Sequence, residues 1–287
     1  MAKGNVFESP RIRWLLHRAP LPNAWSNFAG RKLLLATNAV QGIGTFALIT
    51  LGVMFTKFRA APAVTFPAIR HELSRSGLRL LPIFLFMAVA TGLVVIGQAV
   101  LWLQKVGANS LFLGPIMVYV VVRELGPLLT ALLVLSRSGT ANVVELGTAR
   151  AMGEVEGLEA LGIDPVHYLV MPRVIGMAFG VMSLTVYFII GALFSGYLFA
   201  FLNAVPLRPG DYFGQLAGSL TGLDFAVLAV KSLLFGWLIA VITCYHGLAQ
   251  PLQLEEVSRA TVRAVAHSVI ACVAVDAIFI FVYIWQT

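Results

Sequence analysis

Long apolar runs with few charges constrain this chain more than any other feature. Each run holds about 20 residues or more, which is enough for a helix to cross a hydrocarbon layer of about 30 Å. The alternating pattern of a membrane barrel is absent, so we predict that the runs are helices. Only 11% of the residues are charged, against about 25% in soluble domains, which excludes a soluble enzyme, a disordered chain and a disulfide-rich secreted domain. The runs cover roughly residues 33–56, 78–103, 111–136, 174–202, 223–249 and 264–286.

Basic residues sort the two sides of the membrane. Most of the 20 Lys and Arg residues fall on one side, the cytoplasmic side, if the last five runs cross and the first does not. The first run is basic on both flanks, with Arg31 and Lys32 before it and Lys57 and Arg59 after it. We therefore predict that the first run is an in-plane or re-entrant helix at the cytoplasmic interface and that five crossings follow it. Six crossings with an outer N-terminus is the alternative. The net charge of +7 suits anionic lipid headgroups better than nucleic acid.

Residues 137–173 form the longest polar stretch after residue 79 and hold five of the 13 acids of the chain. Leu146, Val155, Leu158 and Leu161 fit one apolar helix face, and Gly162 is a natural helix stop. The pattern predicts a short acidic amphipathic helix at the cytoplasmic surface, followed by a turn at Asp164-Pro165. Such a helix suits a groove of a cytosolic partner, and a solvated connecting helix without a partner is the alternative.

Four charged residues lie inside the apolar runs, where charges are costly and are usually paired or functional. Adjacent positions on a helix point about 100° apart, so the two consecutive charges need not pair with each other. For Glu124 the candidate partners across helices are Lys231 and any other buried cation, and Lys231 is also a candidate partner of Asp276. The functional alternative is contact with a lipid headgroup or control of a dimer; the structural one is ion pairing within the bundle. The four residues are Arg123, Glu124, Lys231 and Asp276.

Other candidates for chemistry are weak. We expect Cys244 and Cys272 to be buried free thiols, because both lie in apolar runs. His246 and His267 have no further His or Cys at ligand spacing, so we expect no metal site. A phosphate-binding loop of the G-x-x-x-x-G-K-[ST] type is absent, so ATP and Mg²⁺ would have to be bound by a partner. The sequence predicts no catalytic residue and no cofactor in this chain.

Several motifs, in order along residues 78–287, resemble the MlaE (YrbE) permeases of MCE-type lipid transporters. The matching segments are Arg123 to Ala131, Arg137-Ser138-Gly139, Glu145 to Thr148, Glu154 to Leu158, Gly162 to Pro165, Pro172-Arg173, Ser258 to Thr261, Arg263, His267-Ser268 and Asp276. The resemblance implies an all-α permease domain over 78–287, after a basic region with an interfacial helix over 1–77. It also implies a homodimer in the bacterial inner membrane with a cytoplasmic N-terminus and a periplasmic C-terminus.

The resemblance further implies partners and a coupling helix. The family's permease docks on a cytoplasmic ABC ATPase, meets a periplasmic MCE-domain protein and sometimes a small STAS-domain subunit, and carries phospholipid or a related lipid. The coupling helix would cover about 150–161, where Gly153 replaces an acid that is common in the family and would weaken the helix. Its candidate residues are Arg150, Glu154, Glu156, Leu158, Leu161, Gly162, Asp164 and Pro165.

A lipid path would need apolar and small side chains, with flexible Met and Phe for acyl chains. Candidates on the first two crossings are Met87, Thr91, Gly92, Gln98, Phe112, Met117 and Tyr119; ordinary helix packing is the alternative for each. A stand-alone secondary transporter that uses the intramembrane charges for ion coupling is the competing function, and a non-transporting scaffold is a third. Stand-alone carriers often contain internal repeats, and this sequence shows none. A stand-alone carrier would also have no evident use for the acidic helix, so both observations count against it.

Overall fold

The structure, a computed structural model, describes residues 23–57, 62–106, 113–202, 209–249 and 253–286. These residues form helices and short connections and contain no strand. The chain divides into two compact units between Leu48 and Ile49, and the second unit carries every feature discussed below. The long helices in this part of the chain confirm the predicted all-α membrane fold.

The helices follow the apolar runs. The first three are α1 (Asn23–Lys57), α2 (Pro62–Ser76) and α3 (Leu81–Val106), with a 3₁₀ turn at Leu78–Leu80 before α3. Next come α4 (Leu113–Met117), α5 (Gly126–Val134), α6 (Thr140–Ala151) and the short α7 (Glu154–Ala160). The remaining helices are α8 (Met171–Leu202), α9 (Pro209–Ser219), α10 (Gly222–Leu248) and α11 (Val257–Gln286).

Helices α4, α5 and α6 are one continuous rod joined by two π-helical segments, Val118–Leu125 and Leu135–Gly139. The predicted end of this crossing at residue 136 is therefore wrong. The helix continues to Ala151 because α6 is packed in the bundle: Val143 and Leu146 are buried, and Leu146 lies against Gly247 of α10. A third π segment, Val166–Val170, leads into α8, so the helix begins ahead of the apolar run that starts near residue 174.

Helix α8 is the centre of the bundle and packs against α2, α3, α5 and α10. Small residues allow the helices to approach. A side chain at Gly236 of α10 would lie 2.6 Å from the Cα of Ala178, and one at Gly176 would lie 2.8 Å from the Cβ of Glu72. The motif Gly176-x-x-x-Gly180 thus seats α2, which falls in the predicted N-terminal region but packs on α8.

Helix α9 closes one end of the bundle through Tyr212. This ring is fully buried with Met117, Val118 and Leu216, and its hydroxyl donates a hydrogen bond to the Leu193 carbonyl at 3.0 Å. Burial raises the pKa of the Tyr212 hydroxyl, so the group stays neutral. The aromatic side chain holds α9 against α4 and α8.

Six helical stretches of the described chain are long and apolar enough to cross a membrane. Five of them correspond to the five predicted crossings. The sixth, Ala39–Thr56, is the run that we predict to lie in the interface, and its length and composition also allow a crossing.

Candidate functional site

The acidic stretch forms a tight elbow rather than one helix. Helix α6 ends at Ala151, Gly153 adopts a left-handed conformation with φ of 78°, and α7 starts at Glu154. The prediction of a helix over 150–161 is therefore wrong at its start, because a positive φ breaks the helix there. Gly153 is a hinge between two helices rather than a weak point within one.

The elbow also ends at a left-handed glycine. Gly162, with φ of 74°, donates its N–H to the Glu159 carbonyl at 3.0 Å, and Ile163 donates to Leu158 at 3.0 Å. These two bonds define a Schellman cap and confirm Gly162 as the helix stop. Asp164 then caps the next helix, since its Oδ1 accepts the Val166 N–H at 3.0 Å. Pro165 is the last residue before that helix.

The exposed surface of the elbow is acidic with apolar edges. Glu154 is exposed, while Glu156 and Glu159 lie 3.1 and 3.9 Å from Arg150. Of the predicted apolar face, Val155 is buried and Leu158 is half-buried, but Leu161 lies beyond α7 and is 77% exposed. Leu146 belongs to α6 instead. The apolar surface that α7 leaves free is extended by the exposed side chains of Met152 and Ile163.

A three-helix ion cluster that the sequence did not predict anchors the base of the elbow. Glu145 of α6 accepts hydrogen bonds from Arg75 of α2 and from Arg173 of α8, at 2.8 Å for Arg75 Nη1 and 3.2 Å for Arg173. All three residues flank apolar runs, where a charge is usually solvated, so the sequence offered no signal beyond opposite charges. The cluster joins α2, α6 and α8.

The intramembrane charges come together around Lys231. Its side chain is 1% exposed, and the ammonium lies 2.9 Å from Glu124 Oε2, 2.7 Å from Asp276 Oδ1 and 3.0 Å from the Arg123 carbonyl oxygen. An ammonium has three donors, and three acceptors surround it here. The predicted pairing of Lys231 with the two acids is confirmed.

Arg123 forms an ion pair with a different residue. Its guanidinium lies 2.8 Å from Asp224 Oδ1 and 4.3 Å from the ring of Tyr283, with Tyr119 at 5.8 Å. Asp224 was not predicted. It also accepts from the Thr221 N–H at 2.8 Å in a capping box that starts α10, and the pattern Thr221-x-x-Asp224 before an apolar run is the signal that marks it.

A cavity of about 610 Å³ lies beside Arg123. Its walls are mostly apolar and come from Pro115, Ile116, Val118, Tyr119 and Val120, with Gly218 and Ser219 of α9. One cation thus stands at the edge of an apolar space. This arrangement accommodates an amphiphile whose anionic group meets the guanidinium.

The predicted lipid-path residues divide into two groups. Gly92 is packed on α8 and Met117 lies in the core beside Tyr212, which is the helix-packing alternative. Met87, Gln98 and Tyr119 are exposed and Thr91 is half-buried. Phe112 lies outside the described residues. Among the candidates that the structure describes, Tyr119 alone lines the cavity beside Arg123.

The cysteines and histidines give two further results. Cys244 and Cys272 are buried free thiols, as predicted. His246 Nε2 lies 2.9 Å from His267 Nδ1 with the rings stacked, a pair that chain spacing did not indicate because its members come from different helices. Across the described residues, no group of three or more His, Cys, Asp or Glu side chains is placed to hold a metal ion.

Comparisons with known proteins place this architecture. The family model of permease MlaE matches residues 69–282. The chain is 29% identical over 228 residues to a protein of Rickettsia conorii described as a probable ABC transporter permease, covering 79% of this chain and 86% of the relative. It is 26% identical over 212 residues to the intermembrane phospholipid transport system permease protein MlaE of Haemophilus influenzae, covering 74% and 80%. It is also 28% identical over 207 residues to the chloroplastic protein trigalactosyldiacylglycerol 1 of Arabidopsis thaliana, covering 72% and 58%.

The bundle and its elbow therefore define a multi-pass membrane permease, the non-catalytic subunit of an ABC transporter whose energy comes from a partner ATPase. The chain belongs to the MlaE permease family. This membership decides against a stand-alone secondary transporter and against a non-transporting scaffold.

Proposed function

We propose that this chain is the permease of an MCE-type ABC transporter that moves phospholipid, or a related lipid, between the inner membrane and a periplasmic MCE-domain protein. Two copies form the permease, and a cytoplasmic ATPase binds ATP and Mg²⁺. A small STAS-domain subunit completes the cytoplasmic side. The name of the Haemophilus relative, which specifies intermembrane phospholipid transport, supports this cargo. The N-terminus lies in the cytoplasm and the C-terminus in the periplasm, in line with the basic flanks of the apolar runs.

The proposed coupling between this chain and the ATPase rests on the elbow. Helix α7 is short and acidic, its acids are exposed, and a left-handed glycine bounds it on each side. In this proposal α7 moves as a unit between the two glycines. Its acids and the exposed Leu161 suit a groove with basic and apolar walls on the ATPase. Residues Arg150, Glu154, Glu156 and Leu158 form the docking surface together with the turn at Asp164-Pro165.

A continuous rod connects this docking surface to the intramembrane charges. The helical path from Glu124 through the two π segments to Ala151 covers 28 residues, and its length is about 40 Å at about 1.5 Å per residue. Displacement of α7 when the ATPase closes would therefore shift the helix that carries Arg123 and Glu124. Such a shift changes the walls of the cavity beside Arg123 and offers a two-state switch biased by ATP.

The cavity beside Arg123 is the proposed lipid contact. Arg123 meets the phosphate of a lipid, while Tyr119 and the apolar wall contact its acyl chains. Lys231 does not take part directly, because its three donors face acceptors of the protein. It positions Glu124 and Asp276 instead.

Charge reversal on α7 tests the coupling role. The double variant Glu154→Lys/Glu156→Lys should lose ATPase co-purification and ATP-driven lipid transfer between donor and acceptor vesicles, and Leu158→Asp should act similarly. Glu255→Lys, a charge reversal at an exposed acid outside α7, is the matched control. Normal ATPase binding and normal transfer in the double variant would overturn the docking role. Mass spectrometry of lipids retained by the purified complex tests the cargo.

A further inference from the structure

A second cavity, separate from the one beside Arg123, lies between α2 and the start of the crossing that follows the elbow. It measures about 530 Å³. Helix α2 contributes Thr65, Ala68, His71 and Glu72, and the facing wall consists of Ile163, His167, Tyr168, Leu169, Pro172 and Arg173. Along this wall the chain passes from the polar elbow into the apolar helix α8. Polar and apolar side chains therefore share one cavity at the point where the chain enters its membrane-length helix.

Three residues of this cavity have buried polar atoms without a partner. They are Glu72 Oε1, His167 Nδ1 and Arg173 Nη1. Glu72 is only 6% exposed, and a buried carboxylate oxygen without a hydrogen bond is costly. Arg173 uses its other terminal nitrogen for Glu145, at 3.2 Å, so one nitrogen remains free. The fold thus maintains unsatisfied groups of both charges around one space.

The chemistry of these groups selects the ligand. A carboxylate calls for a cation with N–H donors, whereas a guanidinium nitrogen calls for an oxyanion. A ligand that satisfies both carries an ammonium and a phosphate a few ångströms apart. The apolar residues Ala68, Leu169 and Pro172 suit the carbon chain that follows such a headgroup.

We propose that this cavity binds the phosphoethanolamine headgroup of a membrane phospholipid, with the ammonium on Glu72 and the phosphate on Arg173 and His167. The occupant connects α2 to the segment directly behind the elbow and stabilises that junction. The site requires only that the chain is a membrane protein, so it stands independently of the transported lipid and of the proposed transport cycle. Arg123 and its cavity take no part in it.

Native mass spectrometry of the purified permease, mixed with equal amounts of phosphatidylethanolamine and phosphatidylglycerol, tests the proposal. The wild type should retain one phosphatidylethanolamine per chain at this site in preference to phosphatidylglycerol. Glu72→Gln keeps the shape of the side chain and removes its charge, and it should lower that preference about tenfold, as expected for loss of one charge-assisted hydrogen bond. Glu255→Gln is the same change at an exposed acid and should leave retention unchanged.

Two further arms make the test decisive. Arg173→Lys keeps a cation for Glu145 but removes the free guanidinium nitrogen, so it should lower retention of phosphatidylethanolamine in a protein that still unfolds at its normal temperature. Soluble glycerophosphoethanolamine should raise the melting temperature of the wild type and not of Glu72→Gln, which would show that the headgroup alone is recognised. Equal retention of both lipids, unaffected by Glu72→Gln, would overturn the proposal. Unchanged lipid retention with loss of ATPase binding in Glu72→Gln would assign the cavity to the protein partner and would overturn it as well.

Discussion

The elbow and the Lys231 cluster handle charge in opposite ways. At the elbow, Glu154 faces solvent, and the other two acids of α7 share a half-buried Arg150 at the surface. Around Lys231, two carboxylates and a carbonyl oxygen surround a single buried ammonium. The charges of the elbow are available to a partner protein, whereas the charges of the buried cluster pair with one another inside the bundle.

Because of this difference, the elbow is suited to binding a partner and the Lys231 cluster is suited to holding the bundle together. Exposed ion pairs contribute at most about 1 kcal/mol to stability, so the acids of α7 are free to serve a docking surface. A buried pair that loses one member leaves an unpaired charge in a medium of low polarity, which is far more costly. Substitutions at the elbow should therefore alter coupling with little loss of stability, and substitutions at Lys231 should do the reverse.

The largest effect is expected at Lys231. Replacement by Met leaves Glu124 and Asp276 facing each other without a cation and should lower the free energy of unfolding by about 3 kcal/mol. Thermal unfolding of the detergent-solubilised protein measures the loss. The triple variant Lys231→Met/Glu124→Gln/Asp276→Asn removes all three charges and should recover most of the stability. If the single and triple variants were equally unstable, packing rather than charge would explain the role of Lys231.

A smaller loss of stability is expected at the anchor of the elbow. Glu145→Gln weakens two charge-assisted contacts, and partial exposure of the carboxylate limits the loss to about 1 kcal/mol. Because the cluster joins three helices, proteolysis or hydrogen exchange should show α2 loosening first. Unchanged protection of Pro62–Ser76 in this variant would contradict the anchoring role.

The left-handed glycines that bound α7 should affect coupling with little effect on global stability. Gly162→Ala places a side chain in a left-handed conformation, which costs about 1 kcal/mol at an exposed, local site. Lipid transfer per ATP hydrolysed should fall while the melting temperature stays within a few degrees of the wild type. Gly157→Ala is the matched control: it lies inside α7 with open space around it and should stabilise the helix.

The smallest effect on stability is expected at Arg150. Arg150→Gln removes two surface ion pairs and should change the free energy of unfolding by less than about 0.5 kcal/mol. The affinity for the ATPase should rise, and by more than the stability changes, because Glu156 and Glu159 lose an internal partner and become more available. A large drop in melting temperature would show that the elbow depends on Arg150 for its fold.

Much of the fold was predictable because the membrane imposes it. An apolar run of sufficient length must form a helix, and a charge within it needs a partner, which was enough to predict the Lys231 pairing. Helix ends were less predictable. Residues 137–149 look polar enough for a loop, yet Asn142 is buried and Glu145 is satisfied by α2 and α8, so the helix continues.

The lipid-path residues show a second limit of sequence reasoning. A helix that is apolar on all sides carries little information about which face meets a neighbour, so Gly92 and Met117 could not be distinguished from exposed positions. Asp224 was missed for another reason: it lies at a helix start, where an acid has an ordinary capping role. Its contact with Arg123 depends on how two helices are packed, and no spacing along the chain records that.

The π segments Val118–Leu125 and Leu135–Gly139 each hold one residue more than the α-helical turn they interrupt. Deletion of that extra residue would let an ordinary α-helix form while the turns on either side keep their directions. Deletion of a residue from α6 would instead rotate everything beyond it by about 100° and retract it by about 1.5 Å. The two π segments are thus the places where this rod tolerates a change of length without redirecting α7.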